Sequence, residues 1–234
     1  MMALPKLASA KFELTLPSTG EKVEYRPFLV KEEKALMIAQ QSGKSEDIMR
    51  SVKDVITSCT FGKVDAEKLP IFDLEYIFIN LRAKSVGEIV KLMVTCPDDN
   101  TTKVQVDVDL TKIECHKEVG HDTNIRLTDE IGLIMDYPRV SSVTELDLDN
   151  EMESTFKVIK SCVRQVYDSN NVYEKVDMDK NDLDEFIESM SHDQFERVQE
   201  FFNTMPKVRH MIKVKNPKTG VDGEVVLEGM QSFF

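Results

Sequence analysis

No run of about 18 apolar residues occurs anywhere in the 234-residue chain, so the simplest kind of membrane-spanning helix is excluded. The opening MMALPKLASAKFELTLP has lysines on both sides of a short apolar stretch. It lacks the roughly 7–15-residue apolar core of a secretory signal. Cysteine is sparse as well. Cys59, Cys96, Cys115 and Cys162 lie far apart, unlike the dense spacing of a disulfide-stapled secreted domain, and read as reduced thiols of a cytosolic protein. No block of about five or more Lys or Arg appears, and the net charge is −12. Phosphate backbones and anionic lipid surfaces are therefore poor partners, whereas solubility or a basic protein partner suits the balance.

Catalytic signatures are missing too. The four histidines, His116, His121, His192 and His210, have no recognisable nucleophile and orienting carboxylate around them. There is no Gly-x-Ser-x-Gly elbow, Walker loop or Gly-x-Gly-x-x-Gly fingerprint. The chain reads as a non-enzyme with no cofactor.

What is present is alternation and helical periodicity in a repeated order. KFELTL (11–16) and EKVEY (21–25) alternate apolar and polar residues around the turn PSTG, which predicts a β-hairpin. A helix over 29–42 stops at Gly43, and a second opens at Ser45 with Ile48, Val52, Val55, Ile56 and Cys59 on one face. A third covers FDLEYIFINLRAK with Leu74, Ile77, Phe78 and Leu81 aligned. Two strands, EIVKLMVTC and TKVQVDVDL, close the set around the turn PDDN. The second half replays this grammar. NIRLTDEIGLIMDYPR stands for the hairpin, ESTFKVIKSCVRQV for the helix with its Ser-Cys pair, the Lys-Val-Asp of 175–177 for that of 63–65, and residues 210–229 for the ribbon. The fold predicted is α+β, with two similar lobes from an internal duplication, residues 11–119 and 120–234, each packing helices on small antiparallel sheets. Ribbon edges left unpaired are natural docking places for another chain.

Two metal arrangements deserve weighing. Cys96 occupies the turn where a zinc ribbon places its first knuckle, with Cys115, His116 and His121 about twenty residues later. Asp99 stands where the second knuckle cysteine belongs, so the metal-free hairpin is the favoured reading. Asp177, Asp179, Asn181 and Glu188 match positions 1, 3, 5 and 12 of a calcium loop. Asp182 replaces the obligatory glycine, and Asp177 reads instead as a helix-start residue. Phe195, Val198, Phe201 and Phe202 read as helix core. The terminal Phe233 and Phe234 need burial, on the second lobe or in a partner.

Three stretches, RPFLVKEEKALMIA (26–39), KLPIFDLEYIFINLRAKSVGE (68–88) and IVKLMVTCP (89–97), resemble the baseplate hub proteins and hub-assembly chaperones of T4-like contractile-tailed bacteriophages. The resemblance covers about residues 20–115 and extends to the second half in general order. It implies assembly of the central hub of the tail baseplate in the host cytoplasm, with other hub proteins as partners. The family includes virion components and factors that only build the hub, and it commonly carries a second knuckle cysteine. A metal-binding regulatory protein is the reading from another class. The contact residues implied are Arg26, Pro27, Glu32, Glu33, Leu69, Pro70, Arg82, Lys84 and Glu88, with oligomeric state left open. Each also has a local role: Glu32 and Glu33 suit the positive end of a helix, Arg82 and Lys84 the negative end.

Overall fold

The computed structural model describes residues 7–144 and 151–233. The chain runs β1 (Phe12–Thr15), β2 (Lys22–Tyr25), α1 (Val30–Ser42), α2 (Ser45–Cys59), α3 (Ile71–Ser85), β3 (Ile89–Thr95), β4 (Lys103–Asp109) and β5 (Glu114–His116). It continues through β6 (Asn124–Arg126), β7 (Gly132–Met135), α4 (Val140–Thr144), α5 (Glu151–Cys162), β8 (Val163–Tyr167), β9 (Val172–Glu174), α6 (Lys180–Glu188) and α7 (His192–Thr204). It closes with β10 (Lys207–Lys215), β11 (Asp222–Glu228) and a 3-10 turn, Met230–Phe233. The class is α+β, and every strand pairing is antiparallel.

By packing, the chain divides into residues 1–116 with 207–234, and residues 117–206. This differs from a division at 119/120. Residues 207–234 belong with the first unit because β10 pairs with β5 as well as with β11, in the order β11-β10-β5. The turn after β11 also docks on α3, where the Met230 amide donates to a Glu75 carboxylate oxygen at 3.1 Å and Phe233 is fully buried. Phe234 lies outside the described residues.

In the first unit the periodicity of α2 buries Val52, Val55, Ile56 and Cys59, as the spacing predicts. Helix α3 goes further. It buries Phe72, Ile79 and Ala83 along with Leu74, Ile77, Phe78 and Leu81, the mark of a helix enclosed on most sides. Even Asp73 in its first turn is fully buried, accepting from the amide (3.1 Å) and hydroxyl of Ser18 in the β1–β2 turn. Burial pushes the Asp73 carboxyl upward against those hydrogen bonds.

Three hairpins share one turn chemistry. In Leu16-Pro17-Ser18-Thr19-Gly20, Cys96-Pro97-Asp98-Asp99-Asn100 and Asn216-Pro217-Lys218-Thr219-Gly220, proline follows the last paired residue. The fifth residue, Gly20, Asn100 or Gly220, takes a left-handed conformation at φ 73°, 52° and 75°. Its amide donates back to the first residue's carbonyl at 2.9, 3.0 and 2.8 Å. The β3–β4 and β10–β11 turns are joined to each other. Buried Asn216 donates to both Asp98 oxygens at 2.9 and 3.0 Å, and Thr219 donates to Asp98 at 2.6 Å.

The second unit is a four-stranded sheet, β6-β7-β8-β9, with a core that includes Ile125, Leu133, Met135, Ile159, Val166, Leu183, Val198 and Phe201. The helical pattern of ESTFKVIKSCVRQV stops at Cys162. Val163–Tyr167 is a strand because its β-branched Val166 pairs with buried Leu133 on β7. Two strand ends are tied to helix ends: Arg26 N donates to Cys59 O at 3.0 Å, and Asp136 N donates to Cys162 O at 2.7 Å. Lys175 of the second Lys-Val-Asp caps the end of α5, donating to the Lys160 and Ser161 carbonyls at 2.7 Å each.

Candidate functional site

The strand β2 delivers Arg26 to the ends of α1 and α2. Its guanidinium donates to Glu32 Oε1 at 2.9 Å, Ser58 Oγ at 3.1 Å and its neighbour Pro27's carbonyl at 2.9 Å. The other Glu32 oxygen accepts from the Leu29 amide at 2.7 Å, capping the first turn of α1. The side chains of Arg26 and Glu32 are only 13% and 7% exposed. Burial works against the Glu32 carboxylate, but Arg26, the Leu29 amide and Ser58 outweigh it and hold its pKa at about 2. Arg26 and Glu32 thus form an internal ion pair that fixes where α1 starts.

The Phe28 amide donates to Ser85 Oγ at 2.9 Å, tying this segment to the end of α3. That link ties the segment leading into α1, with Arg26 and Pro27 before the helix and Glu32 and Glu33 in its first turn, to the end of α3, near which Arg82, Lys84 and Glu88 lie in the chain. Lys84 pairs with Glu88 one turn on and lies 5.5 Å from the Phe12 ring centre. Arg82 is half-buried, and burial lowers its pKa. Leu69 and Pro70 do not join the group. They precede the other end of the 15-residue α3, about 22 Å away, and Leu69 is buried.

What sequence reasoning missed is the apolar side of α1. Among its residues only Glu32 and Ala39 are buried, while Val30, Met37 and Ile38 are 79%, 57% and 58% exposed. Spacings of seven and eight residues place these three on one face with Lys34. Leu29 before α1 and Val86 after α3 are also exposed. The sequence signal is the run of consecutive apolar residues Ala35–Ala39, too wide for a single packed helix face.

The metal candidates do not form a cluster. Among the described residues no three His, Cys, Asp or Glu side chains are placed to hold a metal ion. Asp99, at the knuckle position, is committed to its turn, accepting from Thr101 N, Thr102 N and Thr102 Oγ1 at 3.0, 2.9 and 2.6 Å. Cys96 is buried, and burial pushes the half-buried Cys115 thiol up to about 12. His116 is exposed beside Glu114. The calcium-loop positions are not a loop: helix α6 begins at Lys180, so Asn181 and Glu188 are helical.

His121, in the second unit, has a structural explanation. The Thr204 hydroxyl donates to Glu200 O at 2.7 Å, so its oxygen accepts from His121 Nδ1 at 2.9 Å. Nε2 then accepts from Tyr137 Oη at 3.2 Å, and the ring packs against Tyr137 and Phe201. Burial lowers the His121 pKa, consistent with this neutral tautomer.

A family model described as "T4 bacteriophage base plate protein" matches residues 9–234, nearly the whole chain. The chain belongs to that family. The match includes the second unit and the closing ribbon, well beyond the stretches that carry the resemblance. No individual curated protein and no solved structure matched the base plate protein. No helix among its described residues is long and apolar enough to cross a membrane.

Proposed function

We propose that this base plate protein is a non-enzymatic assembly component of the central hub of the phage tail baseplate, acting in the host cytoplasm through contacts with other hub proteins. The observation that carries the reading is the family match over residues 9–234, joined to the motif resemblance at 26–39 and 68–88. The contact surface proposed is the exposed face of α1 together with the end of α3. There Val30, Met37 and Ile38 supply apolar area, and Glu33, Lys84 and Glu88 a charged rim. Arg26 and Glu32 act by holding that surface in place. An apolar centre with a polar rim is the usual anatomy of a protein interface.

The test is complementation of a phage lacking this gene, with wild type or with Met37→Asp and Ile38→Asp together. Wild type restores complete tails and the double variant, matched for melting temperature, leaves hubs unassembled. Full rescue by the double variant removes α1 from the surface; failure of the deletion to impair the hub removes the function itself. Mass spectrometry of purified particles against infected-cell lysate then separates a virion component from an assembly chaperone.

A further inference from the structure

The sheet of the second unit has two edges, and the protein treats them differently. At β6 the Arg126 carbonyl is occupied by α7, accepting from Arg197 Nη1 at 3.0 Å, and just past the strand Gln194 Nε2 donates to Leu127 O at 3.4 Å. At β9 no described group outside the β8 ladder bonds to the backbone of Val172–Glu174. Edge strands are commonly blunted by lysine, proline or a covering element. Here the edge reads Val-Tyr-Glu, and Val172 and nearby Val176 are 62% and 90% exposed.

A groove of about 410 Å³ runs from this edge toward α6. Its walls are apolar, from Val166, Val172, Met178, Leu183 and Phe186, and its rim carries Asp168, Glu174, Asp177 and Asp182. No Lys, Arg or His lines it. Asp168 accepts from the Asn170 and Asn171 amides and from Tyr173 Oη, so its charge is fixed in position. Among the described residues, neither Asp177 nor Asp182 is held in an ion pair. The carboxylates are not a cation site, since no three of them are placed to share a metal ion.

We propose that β9 is a docking edge for an extended segment of another protein in which a bulky apolar centre is flanked by Lys or Arg. The segment adds to the sheet as a fifth strand, its backbone satisfying the open edge. Its apolar side chains enter the groove and its cations meet the rim, which repels acidic segments and so selects by charge. The inference does not depend on the α1 surface of the first unit.

The test uses the full chain and a short fluorescein-labelled peptide with lysines flanking a leucine and valine centre, read by anisotropy at physiological salt. Three control peptides replace lysine by glutamate, the apolar residues by serine, or two central residues by proline. Wild type binds the parent peptide, and Val172→Asp and the pair Asp177→Lys, Asp182→Lys each weaken it by about tenfold or more. All three control peptides bind at least about tenfold more weakly. Amide exchange at residues 172–174 slows when the peptide is present. The substituted side chains are exposed, so unchanged melting temperatures are required of the variants. No binding of the parent peptide overturns the proposal. So does equal binding by the groove variants, equal binding of the serine peptide (charge attraction without the groove), or equal binding of the proline peptide (no strand addition).

Discussion

Replacing Glu32 by Gln isolates the internal ion pair from any role in partner contact. The native carboxylate is 7% exposed and held at a pKa of about 2, against an ordinary value of 4.5. A folded-state pKa depressed in this way contributes stability that is present above pH 4.5 and lost as pH falls through 2. At about 1.4 kcal/mol per unit, the contribution at neutral pH is about 3 kcal/mol. Gln keeps the shape and an oxygen for the Leu29 amide, but strands the Arg26 guanidinium at 13% exposure. Breaking one partner of a buried pair costs about 3–5 kcal/mol. Urea unfolding of Glu32→Gln at pH 7, followed by far-ultraviolet circular dichroism, should fall short of wild type by that amount. The deficit should shrink between pH 4.5 and 2 as wild type loses the same charge. A second variant, Arg26→Met with Glu32→Leu, should recover much of the loss, because a well-packed apolar pair replaces a desolvated ionic one. A Glu32→Gln protein within about 1 kcal/mol of wild type at pH 7, with an unchanged pH slope, would refute an internal role for the pair.

Phe233→Ala should cost about 3–5 kcal/mol, read by the same unfolding assay, because its fully buried ring fills core against the first unit. Asn216→Ala should cost about 1–3 kcal/mol by leaving Asp98 without its amide partner, and amide exchange should rise in both ribbon turns. Cys59 and Cys162, buried and pushed up to about 11, should react with a thiol reagent at pH 8 about two orders of magnitude more slowly in the folded chain than in urea. Gly132→Ala should destabilise the second unit by about 1–3 kcal/mol, since a methyl there meets the Tyr167 ring and the Ile125 carbonyl.

Local grammar carried most of the fold. The xPxx(Gly/Asn) turns, the stripe of α2 and the enclosed α3 all follow from periodicity and turn chemistry that neighbouring residues decide. Long-range pairing did not. Nothing in Lys207–Lys215 says that its partner is Glu114–His116 rather than a strand of its own half. Val163–Tyr167 looks helical until β7 and β9 flank it. For the candidate surface, the motif resemblance points to Arg26 and Glu32, yet a six-residue separation gives no warning that the two satisfy each other. The exposure of Val30, Met37 and Ile38 runs against the sequence pattern, because apolar residues in a helix are ordinarily core.

The placement of residues 207–234 bears on how the chain acquires its structure during synthesis. Residues 117–206 are contiguous and follow one another out of the ribosome, so their unit has all its strands in hand before β10 is made. The first unit, although its amino-terminal portion emerges earlier, waits for β10, β11 and Phe233 to supply a sheet strand and a core ring. Translation order and completion order are therefore reversed for part of the molecule, contrary to the usual amino-terminal-first sequence of domain folding. In the interval, α3 holds apolar surface that only the last residues cover, and shortening the chain at its carboxyl end damages the half that was synthesised first.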